Sequence, residues 1–129
     1  MSAPATSKAP DDLACMDAIG QARLVESGRM SPPELVEAAI ARIDAVNPRL
    51  NAVIEKRYEQ ALALATSKQL PRGPLRGVPV LIKDVAIAGE PNFLGCQLLA
   101  RLNLRPAQTD EFVVRVERAG MIILGRTNV

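Results

Sequence analysis

The strongest constraint on the fold is a continuous apolar run from Val78 to Ile82. Gly77 precedes this run and Lys83-Asp84 follows it. Apolar residues without polar alternation are typical of a strand that is covered on both faces. Pro79 has no backbone N–H to donate, so we expect it at the start of the strand or on an unpaired side. The run predicts a buried strand whose carboxyl end carries a lysine.

A second apolar run, Met121 to Leu124, predicts another buried strand, closed by Gly125. The segment between the two strands is predicted to contain a loop at residues 89–108, one helical turn at residues 97–102, and a helix from Thr109-Asp110 to Gly120. That helix has a helically spaced apolar stripe made of Phe112, Val113, Val116 and Ala119. Strand, loop, helix and strand in this order predict parallel pairing of the two strands with a right-handed crossover.

The part of the chain before these strands is predicted to be mostly helical. Residues 1–11 are small, polar and proline-containing, as in a disordered tail. Apolar residues at helical spacing then run from Leu13 to a stop at Ser27-Gly28. Ser31-Pro32-Pro33-Glu34 has the form of a capping box and begins a helix that we expect to end at Asn47-Pro48.

Two further elements precede the first buried strand. Residues 50–54 are short, apolar and partly β-branched, so they predict a strand. A third helix is predicted at residues 57–68, before the breaker Pro71-Arg72-Gly73-Pro74. Two or three strands cannot close a sheet covered on both faces, so we expect residues 12–129 to be an incomplete portion of a larger α/β domain.

The chain contains no histidine. Mechanisms that pair Ser or Cys with His, and metal sites with His ligands, are therefore excluded for these residues. Lys83 is then the candidate proton acceptor near neutral pH. Two interpretations stay open on residue type alone. Lys83 is either a solvated strand-end charge, or a base whose charged form is disfavoured by partial burial at the mouth of an apolar sheet.

A lysine base of this kind needs a hydroxyl nucleophile within hydrogen-bonding reach. The five serines offer no good partner, because each lies in the predicted tail or near a helix end; they are Ser2, Ser7, Ser27, Ser31 and Ser67. Thr127, in the predicted turn GRTN, and Cys96, in the loop, are the remaining candidates. We interpret Thr127 as a turn-stabilising hydroxyl and Cys96 as a packed thiol.

Composition excludes several other classes of protein. The formal net charge is +2, and the positive residues are interleaved with 14 acids, so no basic face indicates nucleic-acid binding. Two Phe, one Tyr and no Trp leave few stacking platforms. Cys15 and Cys96 form neither a metal-ligand pattern nor a disulfide framework, and no apolar run reaches the length of a membrane span. We therefore predict a cytoplasmic protein without cofactor, metal, nucleic-acid partner or membrane contact.

Two motifs together resemble the amidase signature family. They are GPLRGVPVLIKDV, residues 73–85, and, further along the chain, TDEFVVRVERAGMIILGRTN, residues 109–128. The capped helix SPPELVEAAIARIDAVNP and the following LNAVIE also match the opening of that family. The resemblance covers most of residues 13–128. It implies the N-terminal part of the amidase-signature α/β fold, with helices packed on a mixed, partly parallel β-sheet.

The function that this resemblance implies is hydrolysis of carboxamides by a Ser, cis-Ser, Lys triad. Lys83 corresponds to the family's lysine, and the two serines and the glycine-rich turn of the oxyanion hole lie in a Gly/Ser-rich signature downstream of this sequence. Val85 stands where many members, especially the tRNA-dependent amidotransferase subunits, have Asn, Cys96 where a Thr-x-Gly-Ser run often ends in Ser, and Arg126 where Lys is commoner. These departures favour a bacterial hydrolase of small or cyclic amides.

We therefore interpret the chain as an N-terminal fragment of an amidase, inactive alone, whose complete form acts on a small-molecule amide. Three alternatives remain at this point. The chain could be a truncated product without catalytic activity, a small α/β interaction module that uses Lys83 as a strand-end charge, or a fragment of a tRNA-dependent amidotransferase subunit. Because its apolar strands lack later neighbours, we expect the isolated chain to self-associate or to be loosely packed.

Overall fold

A computed structural model describes residues 10–129. The helices and strands of the described residues follow in the order α1 (Pro10–Ala14), α2 (Ala18–Glu26), α3 (Pro32–Leu50), β1 (Val53–Lys56), α4 (Tyr58–Thr66), β2 (Pro79–Lys83), α5 (Gln97–Leu102), α6 (Glu111–Arg118) and β3 (Ile122–Thr127). The predicted tail at residues 1–11 lies almost entirely outside the described residues. The expected α/β class, with helices packed on a mixed sheet, is confirmed.

The three strands form one sheet in the order β1-β3-β2. β3 lies at the centre and pairs parallel with β2 and antiparallel with β1. The predicted parallel pairing of the two apolar strands is therefore correct, and Pro79 lies at the start of β2, where its missing N–H removes no internal ladder bond. The last pair in this parallel ladder is Lys83 with Thr127.

The two faces of the sheet are covered by different elements. On the face that we call the α3–α4 face, the buried core consists of Val36, Ala39, Ala61, Ala65, Leu70, Ile122 and Leu124. On the opposite face, the α6 face, it consists of Ile82, Ile87, Val113 and Ile123. A third cluster of Leu13, Leu24 and Leu35 joins the first three helices. The chain thus builds three layers around β3.

A β-bulge in β3 changes which face its last residues occupy. Val80 pairs with Ile123, but the next residue, Leu81, pairs with Gly125, so Leu124 is an extra residue in β3. Simple alternation would have put Arg126 on the same face as Leu124. After the bulge it pairs with Ile82 and lies on the α6 face.

The helical predictions need two corrections. The apolar stripe from Leu13 to Ser27 forms two helices rather than one, because the Asp17 carboxylate accepts from the backbone N–H of Gly20 at 2.7 Å and begins a new helix. α3 does not stop at Asn47-Pro48 but continues to Leu50. The Asn47 side chain accepts from the N–H groups of Ala52 and Val53, at 3.0 and 2.8 Å, which holds the last turn together despite Pro48.

The strand predictions are right in kind and wrong in extent. β1 begins at Val53, three residues later than expected. β3 does not close at Gly125 but runs on to Thr127. A Cβ atom at Gly125 would lie 2.2 Å from the carbonyl oxygen of Glu55, so this glycine permits close approach of β1 rather than ending the strand. β2 is a sheet edge in this chain and only partly buried, whereas the central β3 is buried almost throughout.

The helices around the loop agree with expectation. α5 occupies the predicted residues 97–102, and Asp110 caps α6 by accepting from the N–H of Phe112 at 2.9 Å. The loop closes on itself through the bonds from Gly89 N to Pro106 O (3.0 Å) and from Asn92 N to Leu104 O (3.1 Å). It nevertheless exposes four leucines by half or more, namely Leu94, Leu98, Leu102 and Leu104.

We expect the isolated chain to bind a dye for exposed apolar surface, to self-associate, and to melt over a broad range. The exposed leucines, and the outer edge of β2, which pairs with no strand within residues 10–129, are apolar or hydrogen-bonding surface open to water. Replacing Leu98 and Leu102 together with Gln should lower dye fluorescence and shift the chain toward monomer in analytical ultracentrifugation. Arg101→Gln, a polar change on the same helix, is the matched control and should alter neither.

A sharp melting transition that is independent of concentration, from a monomer that binds no dye, would contradict this expectation. It would show that these residues form a complete small domain.

Candidate functional site

Lys83 is the last residue of β2, at the carboxyl end of the parallel pair. Ile82, one residue earlier, points into the α6 face, so Lys83 leaves the sheet on the α3–α4 face, beside its pairing partner Thr127. Carboxyl ends of parallel strands are where open α/β sheets place their ligands. The Lys83 side chain is exposed, so the burial that a desolvated base requires is not supplied by the described residues.

The backbone immediately after Lys83 is held tightly. The N–H of Asp84 donates to the carbonyl oxygen of Thr127 at 3.1 Å, which extends the β2–β3 ladder by one residue. The Asp84 side chain is fully buried, and neither of its carboxylate oxygens has a hydrogen-bond partner among the described residues. A buried carboxylate without such partners is stable only beside a compensating charge.

Arg126 provides that charge. Its guanidinium is fully buried, and Nη1 lies 3.5 Å from Oδ1 of Asp84. The same nitrogen donates to the carbonyl oxygen of Val85 at 3.3 Å, while Nη2 donates to the carboxylate of Glu55 and to the carbonyl oxygen of Pro91. One side chain therefore connects the strand β1, the two residues after Lys83, and the loop. The planar guanidinium has several donors in fixed directions, which suits it to this role.

A second ion pair fixes the same loop. Arg57, between β1 and α4, lies 2.9 Å from the carboxylate of Glu90, and both side chains are largely buried. Glu90 is adjacent to Pro91, which accepts from Arg126. Two arginines thus attach residues 90–91 to the sheet. We call this network of Glu55, Arg57, Asp84, Glu90 and Arg126 the buried charge cluster.

Sequence reasoning does not identify the buried charge cluster as part of the site. In the sequence, Arg126 stands out only as a departure from the commoner Lys, and Asp84 only as the residue after Lys83. One signal is present: Arg126 directly follows the apolar run Met121–Leu124 and Gly125, and an arginine continuing a buried strand needs anionic partners. The position of the partners cannot be read from the sequence, because it depends on the bulge.

The structure corrects the interpretation of the other candidate nucleophiles. Thr127 is the last residue of β3 and not part of a turn, because the strand continues past Gly125. Cys96 is not a packed thiol: it is exposed, as is Cys15, and both are free. Cys96 directly precedes the short helix α5, none of whose residues is buried. Neither residue has an activating partner among the described hydrogen bonds.

The serines in the described part of the chain are engaged at helix ends. Ser27 donates to the carbonyl oxygen of Leu24 at 3.2 Å, and Ser67 accepts from the N–H of Gln69 at 3.0 Å. The backbone N–H and the hydroxyl of Ser31 both donate to Glu34 at 2.7 Å, which forms the predicted cap and lowers the pKa of Glu34. These hydroxyls stabilise helices and lie on elements other than the end of β2.

Lys56, the last residue of β1, shows what a structural strand-end lysine looks like. Its ammonium lies 2.6 Å from Asp44 on α3 and 5.1 Å from the centre of the Tyr58 ring. The hydrogen bond to Asp44 raises the pKa of Lys56 and lowers that of the carboxylate. A raised pKa keeps an amine protonated, which is the wrong direction for a base at neutral pH. Within residues 10–129, Lys83 forms no such ion pair with a carboxylate.

Two surface grooves lie outside this site. One, of about 500 Å³, runs between α3 and β2 and is lined by Ile43, Val46, Val80 and Leu81 among others. The other, of about 850 Å³, lies between α2 and residues 72–76. Lys83 lines neither of them. Within residues 10–129, no cluster of acidic, Cys or His side chains could hold a metal ion, and no helix is both long and apolar enough to cross a membrane.

Comparison with known proteins identifies the family. The Amidase family profile matches residues 34–129. The 6-aminohexanoate-cyclic-dimer hydrolase of Paenarthrobacter ureafaciens is 40% identical over 87% of this chain and 22% of its own length. A glutamyl-tRNA(Gln) amidotransferase subunit of Salinispora arenicola is 37% identical over 92% of this chain and 25% of its own length.

A solved structure gives the same result for the fold. A 6-aminohexanoate cyclic dimer hydrolase complexed with substrate superposes with a TM-score of 0.81 at 41% identity, covering 91% of this chain and 24% of that one. The chain therefore spans about a quarter of the length of the relatives it matches. With three quarters of its residues matched by the family profile and its fold shared with solved members, this chain belongs to the Amidase family, the amidase signature enzymes.

Proposed function

We propose that residues 12–129 form the N-terminal portion of an amide hydrolase in which Lys83 is the proton acceptor. The observation that supports this most directly is the position of Lys83. Its side chain is exposed at the carboxyl end of a parallel strand pair, and the next residue, Asp84, is buried and paired with Arg126. A flexible amine on a fixed backbone can reach a group that approaches the strand ends. The ammonium group of Lys56, by contrast, forms an ion pair with the carboxylate of Asp44.

In the proposed reaction, this chain supplies the lysine, and the remaining part of an amidase supplies the other catalytic groups. In its neutral form, Lys83 accepts the proton of a serine hydroxyl through an intervening serine, and the activated oxygen attacks the amide carbon. The proton is then returned to the leaving amine, so the lysine ends the step neutral again. The two serines and the donors that stabilise the oxyanion are proposed to come from the remaining part of an amidase. Packing of that part around Lys83 would supply the missing burial.

We propose small or cyclic carboxamides as the substrate class. The name of one relative, 6-aminohexanoate-cyclic-dimer hydrolase, states such a substrate for that protein. Val85 is a further argument: an apolar side chain follows Asp84, where many members of the family, especially the amidotransferase subunits, have an amide side chain able to hydrogen-bond. The backbone carbonyl oxygen of Val85 accepts a hydrogen bond from Arg126, so the backbone at this position has a structural role.

A second candidate is a component of a tRNA-dependent amidotransferase. The 37% identity to the Salinispora arenicola amidotransferase protein over 92% of this chain favours it. The two candidates differ in their need for a partner: a hydrolase releases ammonia or amine by itself, whereas an amidotransferase delivers ammonia to a bound tRNA. Reading the nucleotide sequence beyond the codon for Val129, and assaying the encoded protein with cyclic amides and with glutamine, would decide between them.

The 129-residue chain alone should hydrolyse no carboxamide above background. Its described serines cap helices, and a base without a nucleophile or oxyanion donors loses most of the rate acceleration. Ammonia release from acetamide and glutamine, and amine appearance from the 6-aminohexanoate cyclic dimer, measure this. Turnover by rigorously purified chain that disappears in Lys83→Ala would show the chain to be catalytically self-sufficient.

The role of Lys83 is testable in a chimera in which this chain replaces the matching segment of the Paenarthrobacter ureafaciens hydrolase. Lys83→Ala should lower kcat on the cyclic dimer by at least about 100-fold, because a proton relay is lost. Lys83→Arg should be no better, since a guanidinium stays protonated and cannot accept a proton. Steady-state kinetics and circular dichroism of the purified chimeras measure rate and fold.

Lys56→Arg is the matched control, because Lys56 also ends a strand of the same sheet and the substitution keeps its charge and its carboxylate partner. It should leave kcat unchanged. If Lys83→Arg also retained near-unchanged kcat, Lys83 would be an electrostatic or structural residue and the proposed mechanism would be wrong.

A further inference from the structure

We propose that Arg126 is a positioning residue for Lys83: its buried guanidinium fixes the backbone on the carboxyl side of the lysine and the loop that follows. The inference rests on the proposed function of Lys83 only for its catalytic consequence. The clamp itself is a property of the described residues. Arg126 does not touch the reacting atoms in this proposal, and it acts through the residues that it holds.

The clamp works on two consecutive residues. Arg126 pairs with the buried Asp84 carboxylate at 3.5 Å and donates to the carbonyl oxygen of Val85 at 3.3 Å. On the other side, the N–H of Asp84 is bound to Thr127 at 3.1 Å. Lys83 is therefore flanked by a sheet ladder before it and a fixed turn after it. The direction of its Cα–Cβ bond is determined by this geometry, while its exposed side chain remains free to reach outward.

Charge explains why the residue at this position is basic. Two carboxylates, those of Glu55 and Asp84, approach the guanidinium, and the oxygens of the Asp84 carboxylate have no hydrogen-bond partner in the described part of the chain. Without a positive charge, the buried Asp84 carboxylate would be uncompensated and would tend to turn toward water. This reorientation of the Asp84 side chain would rotate the backbone next to Lys83.

The loop is the second object that Arg126 holds. Arg126 donates a hydrogen bond to the carbonyl oxygen of Pro91 and so fixes the loop six residues after Val85. The neighbouring residue, Glu90, pairs with Arg57. The loop then closes through the bonds from Gly89 to Pro106 and from Asn92 to Leu104. The segment between Val85 and Pro91 is thus tied to the sheet at both ends by one side chain.

The test uses the chimera and compares Arg126→Met, which removes the charge, with Arg126→Lys, which keeps it. We expect Arg126→Met to lower kcat by between about 10- and 100-fold, the effect of a misplaced catalytic group, with little change in KM. Arg126→Lys should recover most of this loss. Hydrogen exchange should be faster at the amides of Gly89 and Asn92 in the methionine variant. Arg115→Met, which breaks an exposed ion pair with Glu111, is the control and should change none of these.

Coupling to Lys83 separates positioning from general destabilisation. In the Lys83→Ala background, Arg126→Met should lower the residual rate by less than about twofold, because the residue through which it acts is already absent. A further loss as large as in the parent would overturn the proposal. Unchanged loop exchange in Arg126→Met, or equal kcat losses in the methionine and lysine variants, would overturn it as well.

The double variant Asp84→Leu, Arg126→Met provides a second route if the single methionine variant does not fold, because it removes both the buried Asp84 carboxylate and its compensating charge. It should fold and still show reduced kcat; parent-like kcat would refute the proposal. The exchange measurement does not depend on amide hydrolysis. If Lys83→Arg turned out fully active, the proposed function would fail, while loop exchange would still decide whether Arg126 holds the loop.

Discussion

The buried guanidinium of Arg126 is the interaction on which the organisation of this chain depends. It lies at the end of the central strand and contacts the edge strand β1, the turn after β2 and the following loop. Removing one partner from a buried ion pair typically costs about 3–5 kcal/mol, because the remaining charge is left without compensation. Elements far apart in sequence are therefore held in one arrangement by a single side chain.

This arrangement divides the sheet into a packed face and a polar edge. The α3–α4 face is filled by aliphatic side chains from two helices, and nothing in that described core requires a specific polar contact. At the carboxyl ends of β2 and β3, polar and charged residues meet instead: Lys83 and Thr127 as neighbours on paired strands, and the buried charge cluster behind them. The packed face holds the strands in fixed positions, and the chemistry proposed for this family member takes place at the carboxyl ends of β2 and β3.

Local sequence signals predict the elements well where one residue type decides the outcome. Asp110 begins α6 as expected, and Ser31 with Glu34 begins α3. Two of the failures, at the ends of α3 and β3, have a common cause. The intrinsic preferences of Pro48 and Gly125 predict stops, but the side chain of Asn47 and the close approach of β1 override those preferences.

For the candidate site, the sequence by itself determined that lysine is the available base, since the chain has no histidine, and that this lysine ends an apolar strand. It also determined the family, through two motifs in a fixed order. Only the tertiary structure decided which residues hold the backbone next to Lys83. The β-bulge at Leu124 moves Arg126 to the face of Ile82, within reach of Asp84 and the loop, and the side chains that meet there come from residues 55 to 126. Strand alternation read from sequence alone puts Arg126 on the opposite face, because a bulge leaves no mark in a run of apolar residues.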